Sequence, residues 1–161
     1  MKYKDVIKYS EEDVNFEIRK LRKNFRFLGL IMPPMGEKPV IVPIMNGGNI
    51  IAQKLMEGYT HEVIPLKVKH YSGKDELDTF SLEIPKKLFD VKRKIVFIDD
   101  VIESGLTLKV LQSIFPNSSS VVLLRKGIEY DGVFGDTVPK DAWIEFYWVD
   151  SKEKNEILGG N

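Results

Sequence analysis

The sequence predicts an α/β fold, a mostly parallel central sheet flanked by helices. Three observations carry that expectation. Short apolar runs, VIVPI (40–44), IVFI (95–98) and VVLL (121–124), are bounded by charged or turn residues, as strands buried on both faces are. Segments of helical periodicity follow the first two at short spacing, which argues a right-handed parallel arrangement. Chemistry-bearing residues collect where the strands end: Asn46-Gly47-Gly48, Asp99-Asp100 and Arg125-Lys126. Open α/β sheets place their ligands along that carboxyl rim.

Taken in order, Ser10 reads as a helix N-cap, with Asp13 three residues on as a weaker form of capping box. Val14, Ile18, Leu21 and Phe25 then share one face. Arg19, Lys20, Arg22, Lys23 and Arg26 make the other face, which reads as solvated surface. MPPMG (32–36) breaks regular structure and delivers the chain to the first sheet strand, 40–44. Pro43 fits that strand if the ladder is already ending there. A loop at 45–48 and a helix over 49–57 follow, burying Ile51, Ala52, Leu55 and Met56. Strand, double-glycine turn, helix is a place where backbone amides can face an anion, although a plain tight connection has the same pattern.

Residues 62–69 read as a strand, and 70–79, polar and without period, as a mobile loop. Residues 81–84 return as a short strand, so the excursion is a β-hairpin. His61 and His70 are read as loop residues. A helix opened at 103–107 carries Leu108, Leu111 and Phe115 at helical spacing; Pro116-Asn117-Ser118 ends it, and 121–124 is another buried strand.

Composition sets the outer bounds. A chain of 161 residues fits one domain, 1–161, with room for a real core. Lys plus Arg and Asp plus Glu are 24 each, so charge points to neither a nucleic-acid surface nor a membrane partner. The absence of cysteine excludes disulfides, thiolate metal sites and a cysteine nucleophile. The first ten residues hold no apolar run of signal-peptide length, and a cytoplasmic protein is expected. Walker A, GxGxxG, HExxH and GxSxG patterns are all missing. A receiver domain carries its acidic pair near the N-terminus, and dehalogenase-type phosphatases need Asp-x-Asp; neither fits Asp99-Asp100-Val101.

The run IVFIDDVIESGLT (95–107) holds the densest chemistry. Two carboxylates beside an apolar strand are costly to desolvate unless they meet a cation or hydroxyl donors. A vicinal diol of a sugar or a magnesium ion satisfies them. Gly105 then lets the backbone approach a ligand, Ser104 and Thr107 add hydroxyls, and the helix start offers free N–H groups at its positive end. That is an anion site suited to phosphate. Acids for a diol and a neutral cradle for a phosphate, a few residues apart, describe a ribose 5-phosphate.

The same run resembles the signature of the type I phosphoribosyltransferases: four apolar residues, two acids, two apolar residues, then acid, Ser/Thr, Gly, any residue, Thr. The segment 138–148, VPKDAWIEFYW, is similar to the C-terminal segment of the bacterial xanthine-guanine members of the purine branch. The resemblance covers most of 40–150, strongly at 95–107 and 143–145. It implies the fold predicted above with a small hood from the chain termini. It also implies purine salvage: transfer of 5-phosphoribosyl from phosphoribosyl diphosphate to xanthine, guanine or hypoxanthine, with release of pyrophosphate. Under it Asp99, Asp100, Glu103, Ser104, Gly105, Leu106 and Thr107 bind the phosphoribosyl group, and Glu103 is the general acid/base. Purine enzymes more often have Asp there.

Asn46, Gly47 and Gly48 correspond to the loop that holds pyrophosphate, where relatives usually carry Lys or Arg before the glycines; Asn46 removes that charge. Lys126 fits the lysine aimed at the purine 6-oxo group, Trp143 the ring that stacks the base, and Ile144 a backbone carbonyl that accepts from it. Trp148 keeps either role, base site or core. Asp99 and Asp100, with Asp150 at the spacing of an acid near a second metal, are the expected ligands of Mg2+, the implied cofactor. Relatives close a flexible loop over the site near 70–79, commonly with Ser-Tyr where this chain has His70-Tyr71. They generally pair, so a homodimer or homotetramer is expected. The alternative function is a non-catalytic regulator on the same fold that binds phosphoribosyl diphosphate or a nucleotide.

Overall fold

The structure, a computed structural model, describes residues 3–72 and 78–149, and their side chains apart from 70–72, 78 and 79. Six strands form the main sheet: β2 (Val40–Met45), β3 (Leu66–Ser72), β4 (Asp78–Glu83), β5 (Ile95–Ile102), β6 (Ser118–Lys126) and β7 (Val133–Val138). Their spatial order is β4-β3-β2-β5-β6-β7, parallel throughout except for the antiparallel β3–β4 hairpin. A second sheet pairs β1 (Asp5–Tyr9) with β8 (Ala142–Phe146) in parallel, from Asp5↔Ala142 to Tyr9↔Phe146. This is the hood from the two ends of the described chain.

Alternation along the strands splits the core in two. Ile41, Val96, Ile98, Val121 and Leu123 face α1 (Glu11–Arg22), α2 (Phe25–Ile31) and α3 (Gly47–Leu55), together with Ala142, Ile144 and Phe146 of the hood. Val40, Val42, Ile95, Phe97 and Val122 face the opposite way, toward Leu108 and Leu111 of α4 (Leu106–Ile114) and Leu88 of a short 3-10 helix, Lys86–Asp90. Side chains that cover both faces explain why these strands read as unbroken apolar runs. No helix among the described residues is long and apolar enough to cross a membrane.

Several local expectations hold with shifted edges. Ser10 and Asp13 form the capping box in both directions, and Val14, Ile18 and Leu21 are buried. Phe25 does not join them. The helix stops at Lys23, Asn24 caps a separate α2 by accepting from Arg26 N and Phe27 N, and Phe25 is left 91% exposed. The expected helix at 49–57 begins two residues earlier, directly on the glycine pair. The strand expected at 62–69 starts only after Pro65, although Val63 makes an isolated bridge to Ile41. The hairpin is longer than expected, taking in His70–Ser72 and Asp78–Thr79 as strand; residues 73–77 of the expected loop lie outside the described residues.

Pro43 sits in a central strand, and the register shows how that is accommodated. Pairing of β2 with β5 ends at Pro43↔Ile98, and pairing with β3 begins at Ile44↔Leu66. The missing N–H thus falls where β2 passes from one neighbour to the other.

The basic face of α1 is not all solvated surface. Arg22 reaches across to α3 and donates to the carbonyls of Leu55 and Glu57, both at 2.8 Å, where the helix leaves its last carbonyls unpaired. Arg22→Ala is expected to cost about 1–2 kcal/mol, lowering the melting temperature by about 3–8 °C. A thermal melt beside Arg19→Ala checks this, and equal melting points would remove the capping role.

Candidate active site

The order of the main sheet creates a crevice. From β2 the chain crosses through α3 to β3 on one side, and from β5 through α4 to β6 on the other. The two connections diverge between β2 and β5, which is where a doubly wound sheet opens at its carboxyl edge. A cavity of about 640 Å³ lies there, lined by Asn46, Gly47, residues 99–108, Lys126, Trp143, Ile144 and Trp148 among others. Two further concavities, one of them larger, are lined by residues such as 90–94 and 117–120, at the opposite edge where β5 and β6 begin. None of the candidate site residues lines either of them.

Asp99 and Asp100 belong to the last half of β5, which continues to Ile102 rather than ending at Ile98 as expected. Asp99 Oδ1 accepts from Asp100 N at 2.8 Å, and Asp100 Oδ1 accepts from Val101 N at 2.7 Å. Burial pushes both carboxyls above the usual aspartate range, and the adjacent Asp100 carboxylate pushes Asp99 further still. Desolvation and mutual repulsion are both relieved by a cation or a hydroxyl donor between them.

The turn after β5 changes character at once. Gly105 takes a left-handed φ of 78°, a conformation that glycine adopts without steric cost, and α4 starts at the next residue. Ser104 Oγ accepts from Leu106 N at 3.3 Å, and Lys109 N closes the first helical bond to Gly105 O at 3.0 Å. Thr107 and Leu108 carry first-turn N–H groups toward the cavity edge, with the helix dipole behind them.

Gly47 and Gly48 have a packing role that the sequence did not reveal. A Cβ on Gly47 would overlap the Asp100 carboxylate, and one on Gly48 would overlap the Ile98 carbonyl oxygen and lie 3.2 Å from Asp99 Cα. The glycines therefore let α3 lie directly on β5 beside the acidic pair. Asn46 is the N-cap of α3, without a side-chain capping bond, and the Met45–Asn46 peptide is cis.

On the far side of the cavity, Lys126 ends β6 and is only 2% exposed. Its Nζ donates to Glu103 Oε1 at 2.5 Å, while the Glu103 side chain is 40% exposed. Trp143 stands on β8 opposite Val6 of β1, its Nε1 buried without an acceptor among the described residues. Ile144 is buried in the core and also lines the cavity. Trp148 stacks on Phe146 at 4.4 Å and packs against the core, with an edge left on the cavity.

The structure thus gathers Asn46, Gly47, Asp99, Asp100, residues 103–107, Lys126, Trp143 and Ile144 around one space, with Gly48 directly behind it. Asp150 lies outside the described residues. His61 is elsewhere, its Nε2 2.7 Å from the Ile31 carbonyl at the end of α2. Tyr3 was missed. Its hydroxyl donates to Glu103, and its ring lies beside Trp143. Only the parallel pairing of β1 with β8 brings it there, and no local pattern announces such a pairing.

No family model matches the sequence. Solved structures do match along nearly the whole chain. The xanthine-guanine-hypoxanthine phosphoribosyltransferase of Helicobacter pylori is 25% identical, over 94% of this chain and 97% of its own, with a TM-score of 0.67. A purine phosphoribosyltransferase of Pyrococcus horikoshii is 22% identical over 91% and 95%, TM-score 0.67. A hypothetical protein from Neisseria gonorrhoeae with bound ppGpp is 19% identical over 96% and 95%, TM-score 0.66. The fold is that of the type I phosphoribosyltransferases, and these neighbours include members of the purine branch.

Proposed function

We propose that the chain is a purine salvage phosphoribosyltransferase acting on a 6-oxopurine, one of xanthine, guanine and hypoxanthine. One observation carries this reading. The acidic pair, the glycine-led helix start and the Glu103–Lys126 pair beside Trp143 all face a single cavity at the switch point of the sheet. Those are the groups needed to grip, in sequence, a ribose diol, its 5-phosphate and a planar base.

A ring nitrogen of the purine attacks C1 of the ribose as the bond from C1 to pyrophosphate oxygen breaks. The amides of Ser104 to Thr107 hold the 5-phosphate, and Asp99 and Asp100 hold the diol while placing negative charge near the cationic sugar ring. Lys126 turns from Glu103 to the 6-oxo oxygen, which frees Glu103 to accept the imidazole-ring proton. Trp143 offers its face to the base, and the Ile144 carbonyl accepts from ring or exocyclic N–H groups. Backbone amides of 46–48 receive the pyrophosphate, with Asn46 where relatives usually carry Lys or Arg.

The acidic pair fits magnesium. No group of three or more His, Asp or Glu among the described residues makes a cage, and Mg2+ is typically held by one or two carboxylates with substrate oxygens and water completing the shell. Asp99 and Asp100 would hold it, with Asp150 a further candidate, and when bound it would neutralise the departing pyrophosphate.

Asn46 favours a second reading, a regulator that binds phosphoribosyl diphosphate or a nucleotide without turnover. The ppGpp held by the gonococcal neighbour is in keeping with it. Incubation with phosphoribosyl diphosphate, Mg2+ and a panel of free bases separates the two. Nucleotide from at least one 6-oxopurine is the expected result, whereas none from any base leaves only the regulator.

A further inference from the structure

Glu103, Lys126 and Trp143, the three side chains assigned to the base, share one more neighbour. The Tyr3 hydroxyl donates to Glu103 Oε1 at 3.1 Å and lies 3.3 Å from Oε2. The ammonium of Lys126 sits over the Tyr3 ring, 4.5 Å from its centroid. The rings of Tyr3 and Trp143 are 5.4 Å apart and tilted by 50°. A planar aromatic ring that donates to the carboxylate, meets the ammonium and lies against the indole engages the same three side chains that the proposed function assigns to a 6-oxopurine. Its position is fixed from behind. Lys4 N donates to the Asp141 carbonyl at 2.8 Å, Lys4 Nζ pairs with Asp141 at 3.5 Å, and the β1–β8 ladder follows at once.

We propose that Tyr3 occupies the base subsite of the ligand-free chain, and that a 6-oxopurine binds by displacing it. Tyr3 is thereby an affinity-setting residue for the base and the nucleotide. The inference rests on the function proposed above and adds to it an internal occupant of that site. Displacement removes the Tyr3 contacts to Glu103 and Lys126 at once, while the bond between those two holds until Lys126 turns to the base. The base must also compete with a tethered ring, so its apparent affinity is reduced by the fraction of chains in which Tyr3 has left. The hydrogen bonds and ring contacts of Tyr3 named above go to the base-side residues Glu103, Lys126 and Trp143, which sets the expectation for a sugar phosphate apart from that for a nucleotide.

Tyr3→Ala and Tyr3→Phe in the full chain test this by calorimetry with guanosine monophosphate and, separately, ribose 5-phosphate. Tyr3→Ala is expected to bind the nucleotide about tenfold more tightly than the parent, and Tyr3→Phe about threefold, because the ring stays while its bond to Glu103 is lost. Affinity for ribose 5-phosphate stays the same in all three. Unchanged or weaker nucleotide binding by Tyr3→Ala overturns the proposal, the weaker case meaning that Tyr3 builds the pocket. Turnover of a base with unchanged nucleotide affinity leaves the transferase standing and removes Tyr3 alone. No turnover with any base, but tighter nucleotide binding by Tyr3→Ala, does the reverse. Failure of every form to bind the nucleotide removes both.

Discussion

Glu103→Gln is expected to lower turnover about 10²- to 10⁴-fold and to leave the affinity for phosphoribosyl diphosphate unchanged. Glutamine keeps the length and an acceptor oxygen for Lys126 and Tyr3, so the pocket retains its shape. What it loses is the ability to take the imidazole proton. Some stability is lost too, because Lys126 is buried and its counter-charge is gone. Glu103→Leu, which also removes the acceptor, should cost more, about 1–3 kcal/mol, because the buried Lys126 ammonium is left without its partner. Steady-state rates, calorimetry and melting curves on both variants check this. Equal turnover in the glutamine variant would take Glu103 out of the chemistry.

Alanine at the glycine pair is expected to separate fold from site. Gly48→Ala drives a methyl group into the backbone of β5 at Ile98, which cannot rotate away. Overpacking of this kind costs about 1–3 kcal/mol, so the melting point should fall by about 3–10 °C. Gly47→Ala meets the Asp100 carboxylate instead, and a side chain can turn aside. Stability should hold while Mg2+-dependent binding of phosphoribosyl diphosphate weakens about 10- to 100-fold, as when other groups that orient a metal ligand are disturbed. Melts and titrations give the two orderings. A stable Gly48→Ala beside an unstable Gly47→Ala contradicts the packing described.

How much of this was legible in the sequence depended on how local each feature is. Residues 95–107 announce themselves because the apolar strand, the acids, the left-handed glycine and the helix start are contiguous. Lys126 was placed on the same rim from the ends of two parallel strands alone, and it lies there. The Lys126–Glu103 bond was not visible, since it joins two loops' worth of chain that only the fold brings together. Phe25 was misplaced because periodicity ran on past Asn24, whose side chain ends one helix phase and starts another. The glycine pair reads either as an anion cradle or as a plain tight connection, and its close fit against β5 depends on tertiary packing that a two-residue motif cannot express. β1 and Tyr3 were missed for the plainest reason. Five residues of modest alternation give little signal, and their partner strand begins at Ala142.

All of these readings require one sugar phosphate to be held at both ends by the bend between β5 and α4. A crystal structure with phosphoribosyl diphosphate and Mg2+ examines that directly. The 5-phosphate is expected against the amides of Ser104 to Thr107, with the two ribose hydroxyls at Asp99 and Asp100. Density for the ligand at the opposite edge of the sheet, or none at saturating concentration, would contradict it.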